Sequence, residues 1–206
     1  MKLKSEVLSN VMRIMLTILI AVTLLDFVGS LLFAISESLY MDSFNTVFSM
    51  ISTIKVVLYF TICLVYLVWI YMVHVDLCQF IDPYPRSPLG ALAAMIIPIY
   101  SFYGLPSTFS RMGHQLEQHS STQKLGSRIG SLSAPLIILL LFNIVMNRLL
   151  QLNSNEAALF IASDIIALAL YMLFLLLTRY ISQSLSLLAA SDASAEVSQQ
   201  TNVLGH

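Results

Sequence analysis

Charge is the scarcest thing in this sequence. Only 10% of its 206 residues are Asp, Glu, Lys or Arg, against about 25% in ordinary soluble domains. A water-soluble fold would be short of groups to keep its surface wet, so the lipid bilayer is the natural solvent. Basic charge in particular is thin: the formal net charge is -1, which excludes a general nucleic-acid binder, because such proteins need a basic surface to displace counterions from phosphates. Cysteine is nearly absent. Cys63 and Cys78 stand 15 residues apart, about four helical turns, and cannot join within one straight helix. No glycine-rich phosphate loop occurs, and no serine sits in a nucleophile-elbow pattern. The histidines follow no zinc spacing, and no span holds the second histidine that a bis-histidine haem would need. No catalytic residue, cofactor or metal site is therefore expected, and an enzyme ranks last among the functional readings.

Hydrophobic residues, by contrast, make up 58% of the chain. A hydrocarbon core about 30 Å thick takes roughly 20 helical residues to cross, and four runs meet that length, at about residues 11–34, 46–73, 132–152 and 157–178. Helices are expected in all four, since lipid offers no partners for unpaired backbone groups. The first run follows Lys2 and Lys4 as a secretory signal would, but it is too long for a signal core and contains Asp26, so it reads as a retained helix.

Orientation follows the Lys and Arg of the short connections. Lys2, Lys4 and Arg13 open the first run; Arg86, Arg111, Lys124 and Arg128 lie between the second and third; Arg179 follows the fourth. The connections at 35–45 and 153–156 hold Glu37, Asp42 and Glu156 and no basic residue. Both termini and the long central loop are expected in the cytoplasm, in a multi-pass protein of the inner membrane.

The central loop becomes apolar again from Leu89 to Leu105. Its 17 residues would make a helix of about 25 Å, but Pro98 removes a donor in the middle and Gly104 and Pro106 close the run. A helix pair bent at Pro98, interfacial or re-entrant over about residues 89–112, is expected, with Tyr100, Phe102 and Tyr103 at the interface. The break would leave backbone carbonyls near residue 94 free for a ligand, water or partner. Residues 1–190 read as a single membrane domain, and the polar stretch 191–206 as a disordered tail.

Each span carries an ionisable residue well inside its length: Asp26, Lys55, Arg148 and Asp164. A charge at mid-membrane costs about 2.5–3.5 kcal/mol, so each needs a partner. Asp26 and Lys55 both lie about 13 Å from the outer end of adjacent antiparallel helices, which predicts an ion pair. Thr23, Asp26 and Ser30 share one helix face, and Ser52, Lys55, Tyr59, Cys63 and Tyr66 another. Asn143, Asn147 and Gln151 line the third helix. Arg148 reaches to outer water or towards Asp164, whose depth differs by about one turn. The two buried carboxylates lie on different hairpins. Such residues most often hold a bundle together through interhelical hydrogen bonds; a proton or ion path is the sharper alternative. His74, Asp76 and Cys78 form a polar group at the cytoplasmic end of the second helix.

The run Trp69, Ile70, Tyr71, then His74 and Asp76, then YPRSPLGALAAMIIPIYSFYGLPSTFSRM, resembles a motif of a family of polytopic bacterial membrane proteins of unknown function. The likeness covers about 45 residues, with Ile97, Pro98, Gly104 and Pro106 at the bend positions. Met72 and His74 stand where a basic residue often follows in that family. The resemblance implies two helical hairpins joined by a proline-broken segment, and brings no substrate or catalytic residue.

The fold expected is all-α and polytopic, with four transmembrane helices as two hairpins. The leading functional expectation is an accessory or sensor subunit acting through protein or lipid contacts, with the bilayer and either a second copy or a membrane protein as partners. The alternative is a minor transporter or channel lined by Asp26, Lys55 and Asp164.

Overall fold

A computed structural model describes residues 3–81, 83–153 and 156–204, with side chains left out of the description at 98–102 and 195–204. The described residues form helices and no strand: α1 (Glu6–Ile35), a single turn α2 (Glu37–Leu39) running into a π turn (Tyr40–Phe44), α3 (Asn45–Phe80), α4 (Pro88–Ile96), α5 (Pro98–Glu117), α6 (Gln123–Leu152) and α7 (Ala157–Leu204). The expected all-α architecture is what the chain adopts. Four helical stretches, Glu6–Ile35, Glu37–Phe80, Gln123–Leu152 and Ala157–Ser194, are long and apolar enough to cross a membrane. In their most apolar windows only 17–22% of residues are buried, so most of that apolar surface faces outward, as lipid contact requires and water does not tolerate.

Internal contacts divide the chain into two units, and each long helix contributes to both. The first comprises Met1–Val11, Tyr66–Ala134 and Leu177–His206. It has a closed apolar core: Trp69, Leu77, Phe109, Met112, Ile129 and Ile181 are fully buried. Helix α5 is amphipathic, with Phe109, Met112 and Leu116 inward and Arg111, His114 and Glu117 exposed, the period of a helix on a core. It meets α6 at glycines. A Cβ on Gly113 would lie 2.5 Å from the amide nitrogen of Gly130 and 2.7 Å from the carbonyl oxygen of Gly126, so only glycine lets the backbones approach this far.

The apolar central run is a hairpin of two helices. At Ile97 the backbone turns extended, with ψ 114°, as the residue before a proline prefers, and α4 and α5 then fold back on one another. Nine residues of α4 rise about 13 Å, under half of a hydrocarbon core. The carbonyl of Ala94, expected to stand free, is covered instead: a Cβ on Gly104 would lie 2.5 Å from that oxygen, and Ala94 is buried. The side chains of Tyr100 and Phe102 lie outside the described residues; Tyr103 is exposed.

The second unit comprises Met12–Val65 and Pro135–Leu176. Its exterior is apolar, with Ile14, Leu25, Val57, Phe60, Leu64 and Phe142 all exposed. Its interior has an apolar part, where Met12, Leu16, Leu19, Leu136 and Leu170 are buried, and a polar part around Asp26 and Asp164.

Residues 191–204, expected to be a disordered tail, continue helix α7. The physical reason is local: between Ala157 and Leu204 neither glycine nor proline interrupts the sequence, and alanine, glutamine and glutamate favour helix even without packing.

Candidate functional site

The second unit gathers three of the four intramembrane charges on one point. Lys55 of α3 pairs with Asp26 of α1, and its Nζ lies 3.2 Å from Asp164 Oδ1 of α7. The expected Asp26–Lys55 pair is present, made possible by matched depth on two antiparallel helices. The hydroxyl of Ser52, one turn before Lys55, donates to Asp26 Oδ1 at 2.9 Å. Ser30, one turn beyond Asp26, lies 2.7 Å from Asp164 Oδ2. Thr23, on the same α1 face, bonds instead to its own helix at the Leu19 carbonyl.

Arg148 does not take part. Its guanidinium donates to Gln151 Oε1 at 3.0 Å on an exposed surface, so the expected reach towards Asp164 is replaced by Lys55. Depth explains the exchange: Arg148 lies too near the helix end, whereas Asp164, seven residues into α7, is about 10 Å deep and closer to the level of Lys55.

Beside the triad lies a partly open cavity of about 400 Å³. It reaches from Asp26, Lys55 and Asp164 past Asn147 to Tyr40 and Met41 in the α1–α3 connection, and Met41 is exposed. Aromatic rings line that end: Phe33 meets Tyr40 edge-on at 5.4 Å and Phe160 at 6.1 Å. Gly29 permits the close packing here, since a Cβ would strike the ring of Phe48. In the other direction the same helix faces turn mostly apolar beyond Tyr59 of α3 and Tyr171 of α7, whose rings meet at 6.3 Å. Leu19, Leu16 and Met12 follow Asp26 and Thr23 along α1; Ala167, Leu170 and Leu173 follow Asp164 along α7; Ile62 follows Lys55 along α3; all are buried. Roughly 15 Å of packed, mostly apolar side chains therefore closes one side of the triad. The site is open at the end of the short connections and closed by packing at the other.

The polar group of α3 is spread over structural duties in the first unit. Asp76 accepts backbone N–H bonds from Lys4 at 3.2 Å and Ser5 at 2.9 Å, capping the start of α1 with a carboxylate where the helix dipole is positive. Trp69 Nε1 donates to Ser9 Oγ at 2.9 Å and fixes the same turn. His74 is fully buried, its Nδ1 2.9 Å from the Ile70 carbonyl and its ring against Tyr84. Burial holds the Tyr84 phenol above its ordinary value, so it stays neutral. Arg86 extends into α5, donating to Thr108 Oγ1 and, at 3.4 Å, to the Gly104 carbonyl. Pro98 and Pro106 both sit in α5, Pro98 in its first turn and Pro106 within the helix. Among the described residues no cluster of His, Cys, Asp or Glu is arranged to hold a metal ion.

No family model matches the chain, and neither a characterised protein nor a solved structure does. The class stated on this ground is that of a helical protein with four helices able to span a membrane.

Proposed function

We propose that the chain is a small multi-pass protein of a bacterial cytoplasmic membrane that works by binding, as a sensor or accessory subunit, with the cavity over Asp26, Lys55 and Asp164 as its input site. The observation that carries this reading is the one-sidedness of the site. A polar cavity at one end and buried leucines at the other make a receptor for something arriving from one face; a passage needs polar or wet lining on both sides. Lys4, Arg86, Arg111, Lys124, Arg128 and Arg179 all belong to the first unit, which supports placing that unit, with both termini, on the cytoplasmic side and the cavity mouth outside. The α4–α5 hairpin lies in the cytoplasmic headgroup layer in this reading, its exposed Leu89, Ile96, Ile97 and Tyr103 touching lipid or a partner helix and its charged α5 face in water.

A second reading, a minor transporter, draws on the triad itself, because intramembrane carboxylates beside a lysine are the usual mark of an ion path. Flux separates the two. Proteoliposomes carrying the wild-type chain are expected to pass protons and monovalent cations no faster than protein-free vesicles. A flux above that level that disappears in Asp26→Asn would establish transport in place of binding.

A further inference from the structure

The triad sets two carboxylates against one ammonium. If all three are ionised the cluster keeps one uncompensated negative charge next to packed leucines, with no further cation turned towards it: Arg148 is turned to Gln151 on the surface. The groups facing Asp164 from its neighbours are Asp26 and Ser30 on α1, Lys55 and Ser52 on α3, Tyr40 in the connection and Asn147 on α6, with Ser163 and Tyr171 on its own helix. Lys55 is the only cation among them.

Hydrogen-bond arithmetic identifies where a missing positive charge fits. Both oxygens of Asp26 face obligate or natural donors, the Lys55 ammonium and the Ser52 hydroxyl. At Asp164, Oδ1 faces Lys55, but Oδ2 faces Ser30 Oγ at 2.7 Å. Ser30 Oγ also lies 3.4 Å from the Asp26 carbonyl oxygen, which can only accept. A hydroxyl has one hydrogen, so Ser30 cannot donate to both oxygens. A proton on Asp164 Oδ2 lets both contacts be hydrogen bonds: the carboxylic acid donates to Ser30 Oγ, and Ser30 donates to the Asp26 carbonyl; without it Ser30 donates to Asp164 and that carbonyl keeps only its helical amide.

We propose that the cavity's ligand is a proton, that the triad holds one per chain on Asp164 Oδ2, and that it exchanges with water through the Tyr40–Met41 end. For the direction of access this rests on the proposed input role of the cavity; the occupancy itself rests on charge balance and donor geometry alone. Losing the proton leaves the cluster one charge out of balance at the junction of α1, α3 and α7, which gives the bundle a reason to rearrange when the outer medium turns alkaline.

The test is infrared spectroscopy of the full chain in lipid, reading the C=O stretch of protonated carboxylic acids in wild-type-minus-variant difference spectra at neutral pH. Charge balance predicts one acid band per chain in the wild type and none in Asp164→Asn. It also predicts none in Asp26→Asn, where Asp164 becomes the sole counter-ion of Lys55. In Lys55→Met it predicts two. Ser30→Ala, which removes the acid's acceptor, should shift the wild-type band, and Ser52→Ala should leave it in place. A wild type lacking the band overturns the proposal, as does a band that survives in Asp164→Asn or responds to Ser52→Ala and not to Ser30→Ala. Should Lys55→Met fail to fold, the two Asn variants still decide, since each leaves a neutral Lys–Asp pair. In sealed vesicles, a band unmoved by alkaline outer medium while the variant pattern holds would count against the input role alone.

Discussion

Lys55 is the member of the triad whose loss should be felt most. It is the single cation between Asp26 and Asp164, bonded to both, so Lys55→Met leaves two carboxyls facing one another in a largely buried site. Removing one partner of a buried ion pair costs about 3–5 kcal/mol, because the remaining carboxyl must either stay stranded as a charge or be neutralised by taking up a proton. The carboxylate variants strand nothing. Asp26→Asn leaves Lys55 with Asp164, and Asp164→Asn leaves it with Asp26, so each loses about the worth of an interhelical hydrogen bond in lipid, roughly 0.6–2 kcal/mol. The expected order is Lys55→Met far ahead of either Asn variant, by about 1–4 kcal/mol from the same figures. Adding both Asn substitutions to Lys55→Met should recover part of the loss, because the amides are neutral without taking up a proton. The assay is reversible unfolding in mixed micelles, followed by far-ultraviolet circular dichroism and analysed as a mutant cycle. Equal losses in the three single variants, adding without interaction, would refute the view that Lys55 is the one cation holding the two carboxyls together.

Three further outcomes are expected. Gly113→Ala should lower the melting temperature, since its Cβ would meet the Gly130 backbone at 2.5 Å at an overpacking cost of about 1–3 kcal/mol; Gly130→Ala, with nothing within 4 Å of the new carbon, should be neutral or stabilising by up to about 1 kcal/mol. Asp76→Ala should cost about 0.5–2 kcal/mol as a lost helix cap, and hydrogen exchange should then accelerate at Lys4 and Ser5, whose amides it holds. Reporter fusions after Gln118 and at His206 should emerge on the same face of the membrane; opposite faces would mean an odd number of crossings between them.

The long apolar runs were legible because crossing lipid leaves a helix little choice of length or composition. The Asp26–Lys55 pair was legible from depth alone. Asp164 was not assigned to it, although the same depth arithmetic applied across hairpins brings Asp164 closer to Lys55 than to Arg148; proximity along the chain favoured the wrong partner. The break at Pro98 was readable from a missing donor, but what covers the Ala94 carbonyl was not, because it depends on Gly104 arriving ten residues later on a returning helix. Asp76 as the cap of α1 spans 71 residues of sequence to Ser5 and leaves no local signal. The helical course of residues 191–204 follows from backbone propensity, which a polar composition conceals.

The most direct test of the central claim, a charged triad open to one face and sealed from the other, is side-specific thiol labelling of Ser163→Cys, a cavity-lining position beside Asp164, in a chain with Cys63 and Cys78 replaced. A membrane-impermeant reagent is expected to modify it from the outer face and not from the cytoplasmic face, while Leu16→Cys in the packed leucines reacts from neither. Modification of Ser163→Cys from the cytoplasmic face would contradict the account.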